Sequence, residues 1–428
     1  MELYPHQIAG LDETERMTHV AYYWDMGTGK TFVGSEKMMR LGAKVNLVVC
    51  QKSKIDDWVN HFKTNYTNWC DHIFDLTNAS QLDVCMWEWS GGNTCVGIIN
   101  YELIWRRPQL IHLKDFTLLL DESSLIQNEN ANRTKFILRT HPANVILLSG
   151  TPTGGKYERL WSQMRLLGWK ISKDLYWNQY VQTEYLDTLG RSIPMVTGYK
   201  RVDRLKRKMA QHGCRFLKTE EVMDLPEQNF IKVWSESSKE YRHFRKHKMV
   251  TVADITDKMA VELVGDTTLT EMLYERQLCG QYNMEKLVAF KDLLNSTDDR
   301  LIVFYNFNSE LDMLKSACNF ADRPCSEVNG QKKDLSAYEK WSDSVTFVQY
   351  QAGSMGLNLQ LANKIIYFTL PLSSELFEQS KKRIHRIGQG RPCFYYLMLC
   401  RGSIEEKILK TLEMRKDYTE ALFEKEEN

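Results

Sequence analysis

The sequence predicts an α/β protein of two lobes, each built on a parallel sheet and each carrying a helical insertion. The chain has 428 residues, which is long for one hydrophobic core, so two domains are expected. Short apolar strands alternate with helical stretches in two separate parts of the chain, as parallel sheets covered on both faces require. A charged and aromatic stretch interrupts this alternation in each half.

The N-terminal lobe is predicted to span residues 1–225. Its helices are expected at Lys30 to Leu41 and around Trp58 and Phe62, and a helical insertion rich in tryptophan and tyrosine at about 156–211. Its strands are expected at 19–23, 44–50, 96–100, 118–120 and 145–148.

The C-terminal lobe is predicted to span residues 226–428. It starts with a strand at 229–234, carries a helical insertion at about 236–282 and ends in a helix from 403 to about 422. Its remaining strands are expected at 301–305, 345–350, 364–368 and 393–399.

Composition narrows the class of protein. Hydrophobic residues make up 43% and charged residues 26% of the chain, as in ordinary globular proteins. Apolar runs such as 116–120 are too short to span a bilayer, and residues 1–7 do not resemble a signal peptide. We therefore expect a cytoplasmic protein with no membrane segment. The ten cysteines include no Cys-x-x-Cys pair, which favours buried free thiols over a zinc site.

Charge is unevenly distributed although the net charge is only +1. Residues 200–218 contain eight basic side chains against one acidic side chain, Asp203, and a second basic cluster occupies 242–248. Basic stretches are usually solvated helix faces, and contact with nucleic-acid phosphates is the alternative. The sequence leaves both interpretations open.

A candidate phosphate-binding loop lies at Asp25–Thr31, between a predicted strand and a predicted helix. Gly27 and Gly29, on either side of Thr28, let backbone N–H groups approach phosphate oxygens, and the helix N-terminus favours anions. Lys30 can reach the β- and γ-phosphates of ATP, and the Thr31 hydroxyl can bind Mg²⁺. The strict pattern has a glycine where this chain has Trp24, so a simple strand-to-helix turn is the alternative.

Two carboxylates follow an apolar strand at Asp121 and Glu122. This position puts them at the carboxyl edge of the sheet, where the loop Asp25–Thr31 also lies. Asp121 is predicted to hold Mg²⁺, and Glu122 to orient and deprotonate an attacking water. An acidic strand end that caps the following helix is the alternative.

Arg383 and Arg386 lie three residues apart, which predicts one face of a helix. Two guanidinium groups at this spacing can stabilise a phosphoryl group in transfer. The alternative is a basic surface helix.

Together these segments resemble the superfamily 2 helicases and, more narrowly, the sucrose-non-fermenting-type ATPases that drive chromatin remodellers. The chain is similar to the compact phage or prophage form of that family, since no chromatin-reading module is evident. The segments that carry the resemblance are Leu3–Gln7, Asp25–Thr31, Val48–Ser53, Ile98–Glu102, Asp121–Ser124, Leu148–Pro152, Phe216–Glu221 with Leu225 and Pro226, Leu301–Phe304 with Asn306 and Phe307, Ala352–Gln360 and Arg383–Gln389.

The resemblance implies two RecA-like lobes that bind ATP and Mg²⁺ between them. It makes Gln7 an adenine reader, and it makes Gln379, Arg383 and Arg386 catalytic. It also implies residues on the DNA side that couple the state of ATP to the track, namely Lys52, Ser53, Tyr101, Ser149, Thr151, Asn306, Gly353 and Asn358.

Three departures from the family pattern concern how the motor tracks DNA. Ser124 stands where the family usually has histidine, and Gln349-Tyr350 stand where it has small hydroxyl residues. The segment Leu370–Ser374 replaces a segment similar to Asp-Trp-Asn-Pro.

We therefore expect a monomeric DNA-dependent ATPase that translocates on DNA, with duplex DNA favoured over single strands by the family resemblance. The enzymatic alternative is a strand-separating helicase on single-stranded DNA or RNA. The non-enzymatic alternative is a nucleotide-gated DNA clamp without turnover, whose usual mark would be the loss of Lys30, Glu122 or the two arginines.

Overall fold

The computed structural model describes residues 2–188, 191–253, 260–353 and 357–423. The chain divides into two compact units after Val222. Of the described residues, the first unit holds those up to Val222 together with 417–423, and the second holds those of Met223–Lys416. We predicted 417–423 in the second lobe, and the division places them in the first unit.

The first unit is built on a sheet of seven parallel strands in the order β3-β4-β2-β5-β6-β1-β9. The strands of this unit, numbered in chain order, include β7 and β8, which lie outside the seven-stranded sheet. They are β1 His19–Trp24, β2 Val45–Cys50, β3 His72–Asp75, β4 Cys95–Asn100, β5 Thr117–Asp121, β6 Asn144–Leu148, β7 Val181–Thr188, β8 Arg191–Tyr199 and β9 Cys214–Leu217. Its helices are α1 Pro5–Glu13, α2 Lys30–Leu41, α3 Ile55–Asn65, α4 Ala79–Ser90, α5 Asn132–Ile137, α6 Trp161–Leu166, α7 Lys173–Tyr180 and α8 Val202–Gln211.

Continuous apolar runs explain why these strands are central. Leu47, Val48 and Val49 of β2 are all fully buried although they point alternately to opposite faces of the sheet. Leu47 and Val49 belong to the core on one face, whereas Val48 belongs to the core on the other. Both faces are therefore covered, as parallel sheets require.

The second unit is built on a second sheet of seven strands in the order β10-β18-β17-β13-β16-β14-β15. All neighbouring pairs are parallel except β14 with β15. Its strands are β10 Gln228–Ser235, β11 Met249–Ala253, β12 Ala260–Val264, β13 Leu301–Tyr305, β14 Cys325–Val328, β15 Lys333–Asp334, β16 Val345–Gln349, β17 Lys364–Tyr367 and β18 Cys393–Cys400. The helices that follow α8 are α9 Lys239–His247, α10 Thr268–Cys279, α11 Met284–Asn295, α12 Asn308–Phe320, α13 Ser336–Lys340, α14 Tyr350–Gly353, α15 Ser374–Lys381 and α16 Ile404–Phe423.

The two sheets confirm the predicted α/β class with largely parallel strands. The predicted helical insertions need correction, because each contains an antiparallel strand pair. Strands β7 and β8 pair with each other, as do β11 and β12, and both pairs form separate two-stranded sheets. The β-branched and aromatic residues of these stretches favour strands once a pairing partner supplies backbone hydrogen bonds.

Two further predictions from composition can be compared with the structure. All ten cysteines are free, and nine of them are buried, which confirms the predicted buried thiols. In the described ranges, no helix is long and apolar enough to cross a membrane.

Candidate nucleotide and nucleic-acid sites

The loop Asp25–Thr31 connects β1 to α2, as predicted. Gly27 and Gly29 have φ angles of 87° and 77°, which side chains with a Cβ rarely adopt. The Thr28 hydroxyl donates a hydrogen bond of 2.7 Å to the carbonyl of Asp25. Gly29 caps α2, so the loop runs directly into the helix N-terminus, where backbone N–H groups favour anions.

Gln7 braces this loop from α1. Its side chain is 2% exposed, and its Nε2 donates to the carbonyls of Thr28 and Gly29 at 3.4 and 3.3 Å. A Cβ on Gly29 would lie 2.2 Å from that nitrogen, so a side chain at this position would displace the Gln7 amide. The structure thus places Gln7 against the loop, and its role as an adenine reader stays a prediction.

Lys30 lies at the start of α2 and points back across the loop. Its Nζ donates to the carbonyls of Trp24 and Asp25 at 2.8 and 2.9 Å. A Cβ built on Gly150 would lie 3.6 Å from the same nitrogen. The ammonium group therefore lies beside the loop that follows β6.

Asp121 ends β5, and its carboxylate accepts a 2.9 Å hydrogen bond from Trp58 Nε1. Burial raises the pKa of Asp121 above its usual value, while the bond from Trp58 and the charge of Lys30 oppose that rise. A carboxylate shielded from water is stabilised by a nearby cation. The position therefore suits a metal ligand.

Glu122 follows with a φ of 55°, in the left-handed region that residues other than glycine rarely occupy. Ser149 Oγ donates to its carboxylate at 3.2 Å, and the Thr151 backbone N–H donates to Ser149 Oγ at 3.2 Å. Such backbone conformations persist where surrounding contacts hold them, often at functional sites. The structure thus links Glu122 to the loop after β6.

These residues fit a nucleotide with Mg²⁺. The glycine loop and Lys30 offer N–H groups to phosphates, and the Thr31 hydroxyl and the Asp121 carboxylate are the hard oxygen ligands that Mg²⁺ prefers. Thr31 is partly buried in the first turn of α2.

The predicted DNA-side residues of the first unit fall into two groups. Lys52 and Ser53 lie exposed in a short 3-10 turn after β2. Tyr101, Ser149 and Thr151 are buried. Tyr101 is fully buried, and its hydroxyl donates to the Asp121 carbonyl at 2.9 Å. Tyr101 is therefore a support of the acidic strand end, and its role in coupling ATP to DNA stays a prediction.

In the second unit, Asn306 follows β13 and fastens the end of the neighbouring strand. Its Nδ2 donates to the Thr369 hydroxyl at 2.9 Å and to the carbonyl of Leu370 at 3.2 Å. A cavity of about 290 Å³ opens here at the carboxyl ends of β13 and β16. Its lining includes Arg276, Tyr305, Asn306, Gln349, Tyr350 and Ser373. Ligands bind at this edge in open α/β sheets.

Gly353 ends α14, and Asn358 lies just beyond residues 354–356. Those three residues, part of the predicted segment Ala352–Gln360, lie outside the described ranges. Asn358 is exposed, and its Oδ1 accepts a hydrogen bond from Arg386 Nη1.

Arg383 and Arg386 do not share a helix face, which corrects the prediction. Helix α15 carries the buried Gln379 and ends at Lys381, and turns follow to residue 388. Ile384 is fully buried in the core, and this burial turns the chain inward between the two arginines. Arg383 is accordingly 2% exposed, whereas Arg386 is partly exposed and burial lowers its pKa.

Sequence reasoning missed Gln163 on α6. Its side chain is fully buried and contacts both the residue after Glu122 and the loop after β6. A polar residue inside the otherwise apolar face of a short helix was the available signal.

Two family models together match most of the chain. The SNF2-related domain matches residues 9–284, and the helicase conserved C-terminal domain matches residues 285–388.

Curated relatives are distant in sequence and longer than this chain. The mouse SWI/SNF-related matrix-associated actin-dependent regulator of chromatin subfamily A member 1 is 22% identical over 433 residues, which cover 91% of this chain and 40% of that protein. The Arabidopsis thaliana probable ATP-dependent DNA helicase CHR12 is 22% identical over 86% of this chain and 36% of its own. The putative ATP-dependent helicase/translocase YwqA of Bacillus subtilis is 22% identical over 72% of this chain and 36% of its own. The chain thus spans about 40% or less of the length of these relatives.

Among solved structures, the Sulfolobus solfataricus SWI2/SNF2 ATPase core in complex with dsDNA aligns at a TM-score of 0.45 and 17% identity, over 98% of this chain and 92% of that one. The first family model alone covers well over half of the chain. The predicted family is therefore confirmed: this protein belongs to the SNF2-related family, whose members are ATP-hydrolysing enzymes of helicase superfamily 2.

Proposed function

We propose that this chain is a DNA-dependent ATPase that translocates on duplex DNA. One observation carries the proposal: Lys30, Asp121 and Glu122 meet at the carboxyl edge of one sheet, and Glu122 is hydrogen-bonded to the loop after β6. This arrangement joins groups that bind phosphate, hold a metal ion and activate water to a segment that can respond to the track.

The loop amides and Lys30 would bind the phosphates of ATP, and Thr31 and Asp121 would hold Mg²⁺, which would supply positive charge against the phosphate oxygens. Glu122 orients the attacking water and accepts its proton. Ser149 keeps the carboxylate of Glu122 in place by donating to it.

Arg386, which is partly exposed, supplies the guanidinium group that stabilises charge on the transferring phosphoryl group, and the buried Arg383 and Gln379 precede it in the chain and support it. Groups of this kind contribute about 10³–10⁵ in rate to phosphoryl transfer.

DNA is the proposed track because the relatives include proteins named as regulators of chromatin and as a DNA helicase. The exposed Lys52 and Ser53, and Arg276 in the cavity, offer donors for backbone phosphates. Contacts of this kind position a protein on nucleic acid without reading its sequence.

One observation favours strand separation as a second candidate. A helicase needs a wedge, and the pair β7 and β8 forms a hairpin that carries the exposed side chains of Tyr185 and Met195. A hairpin that bears exposed apolar side chains has the chemistry to insert beside a base pair.

The test is ATP turnover without nucleic acid and with duplex DNA, single-stranded DNA or RNA, with Glu122→Gln as the inactive control. We expect duplex DNA to stimulate turnover most. Preferential stimulation by single-stranded DNA or RNA would indicate a strand-separating helicase instead of a duplex translocase. Absence of turnover with every nucleic acid would favour a nucleotide-gated DNA clamp.

Movement is tested separately from turnover. ATP-dependent displacement of a third strand from a DNA triplex, without separation of the duplex beneath it, is the expected result for a translocase. Displacement of a duplex strand instead would identify the helicase.

A further inference from the structure

Gln163 is a buried polar side chain to which the proposed mechanism assigns no role. It lies on α6 and is fully buried. Its Oε1 accepts hydrogen bonds from the Tyr23 hydroxyl at 2.9 Å and the Ser123 hydroxyl at 2.8 Å. Its Nε2 donates to the carbonyl of Pro152 at 2.8 Å.

The three partners of this amide belong to the three segments around the proposed site. Tyr23 lies on β1 just before the phosphate loop, Ser123 follows Glu122, and Pro152 follows the loop residues Ser149–Thr151. Loss of the amide would leave buried polar groups without partners, which costs about 1–3 kcal/mol for each group.

Two of these contacts complete a ring with Glu122. The side chain of Glu122 is tied to Ser149, and the chain runs from Ser149 to Pro152. The carbonyl of Pro152 binds Gln163, which binds Ser123, the residue covalently linked to Glu122. The side chain and the backbone of Glu122 are therefore both connected to the same loop.

We propose that Gln163 is a positioning residue that couples Glu122 to the loop Ser149–Pro152. It anchors Ser123, and this anchor helps to hold Glu122 in its left-handed backbone conformation. A displacement of the loop thus moves the carboxylate through Ser149 and the backbone through Gln163 together. This inference rests on the proposed role of Glu122 in hydrolysis.

The ring also bears on Ser124, where the family resemblance leads us to expect histidine. In this chain, the pair Ser123 and Gln163 connects the acidic strand end to the loop after β6.

The competing explanation is that Gln163 only stabilises the fold. Substitutions of Tyr23 and Ser123 distinguish this structural role from the proposed coupling role. Both hydroxyls donate to the same oxygen of Gln163. Ser123 lies within the ring, whereas Tyr23 lies outside it. Tyr23→Phe and Ser123→Ala thus each remove one hydroxyl from the same acceptor, and they differ in whether the ring is broken.

We expect Ser123→Ala to lower kcat for ATP by about 3- to 30-fold, the range of measured couplings between sites, with KM for ATP within about twofold of wild type. Tyr23→Phe should change kcat by less than about twofold at a comparable loss of thermal stability. Gln163→Leu should lower kcat at least as far as Ser123→Ala. Equal effects of Ser123→Ala and Tyr23→Phe on kcat would overturn the proposal.

Hydrogen exchange gives a readout that does not depend on turnover. Backbone amides of residues 149–151 and 153–155 should exchange faster in Ser123→Ala than in Tyr23→Phe, and equal protection in both variants contradicts the ring. If wild-type turnover shows no response to any nucleic acid, the proposed function fails, while the exchange comparison still decides on Gln163.

Discussion

The ammonium group of Lys30 is the most direct test of the phosphate loop. It donates to two carbonyls at the end of β1, so it is already placed across the loop. Replacement by alanine removes the one positive charge of the segment Asp25–Thr31. Substitution of Lys30 is therefore the most direct test of whether this loop binds ATP.

We expect Lys30→Ala to abolish ATP binding together with hydrolysis, because the phosphates lose their cationic partner. Titration of the protein with a fluorescent ATP analogue measures the affinity. Lys63→Ala, an exposed lysine on α3, is the matched control and should bind normally. Normal nucleotide affinity in Lys30→Ala would contradict the assigned loop.

Arg386 is predicted to act on the transition state and not on the bound nucleotide. Arg386→Ala should leave the ATP affinity largely intact and lower kcat by about 10³ or more. The measurements are the same titration and steady-state turnover with duplex DNA. Arg401→Ala, an exposed arginine paired with Glu236, serves as the control. Turnover near the wild-type rate would show that Arg386 does not contact the reacting phosphate.

The partly buried His61 contacts α2, the helix that follows the phosphate loop. Its environment predicts that the free energy of unfolding of the protein depends on pH. Its Nε2 lies 3.0 Å from Ser35 Oγ of α2, and burial lowers its pKa from 6.5 to about 4. The unfolded chain therefore binds more protons than the folded chain between these values. The free energy of unfolding must fall as the pH is lowered through this window.

Between pH 7 and pH 5 this histidine should remove about 1–2 kcal/mol from the free energy of unfolding. Urea denaturation at both pH values measures the loss, and His61→Gln should show a correspondingly smaller loss. The same pH slope in both proteins would mean that His61 is protonated as readily in the folded chain as in the unfolded one.

At the scale of elements, α8 carries basic residues of the cluster 200–218. The sequence left open whether these residues form a solvated helix face or contact phosphates. Leu205 and Met209 are its buried residues. Arg204 and Arg207 are exposed three residues apart, which places them on one side of the helix, and the exposed Arg201 precedes α8 as its N-cap residue. Exposed guanidinium groups on one side of a helix can neutralise backbone phosphates, and this favours contact with DNA.

We expect Arg204→Glu combined with Arg207→Glu to raise the DNA concentration for half-maximal ATPase stimulation and to reduce its salt dependence. The logarithmic salt slope should fall by about 1 for each lost phosphate contact. The matched control reverses Lys407 and Lys410, two exposed lysines of α16. Equal effects of the two charge reversals would assign the change to overall charge and not to α8.

Element boundaries show where local pattern is a sufficient guide. Helix α2 and strand β13 have the predicted bounds, because Gly29 and Gly42 flank the helix and the strand is a continuous buried apolar run. The hairpins β7–β8 and β11–β12 were not predicted, since a two-stranded pair depends on a partner segment that the local pattern does not reveal. The end of α15 at Lys381 depends on the burial of Ile384.

At the scale of the molecule, each unit places its polar signature residues after a strand of its own sheet. In the first unit these are Asp25 after β1, Asp121 at the end of β5 and Ser149 after β6. In the second, Asn306 follows β13, and Gln349 ends β16. Parallel strands bring such positions to one edge, so segments far apart in sequence can serve one site.

The sequence by itself determined the two α/β lobes, the phosphate loop and the acidic strand end. Each of these depends on neighbouring residues: apolar runs bury themselves, glycines free the backbone, and carboxylates follow a strand. Only the tertiary structure decided that Tyr101 supports Asp121 from the core, that Arg383 is buried, and that Gln163 joins three segments. Gln163 lies 140 residues from Tyr23. A hydrogen bond over such a separation depends on how the strands and helices pack, and no local pattern records that packing.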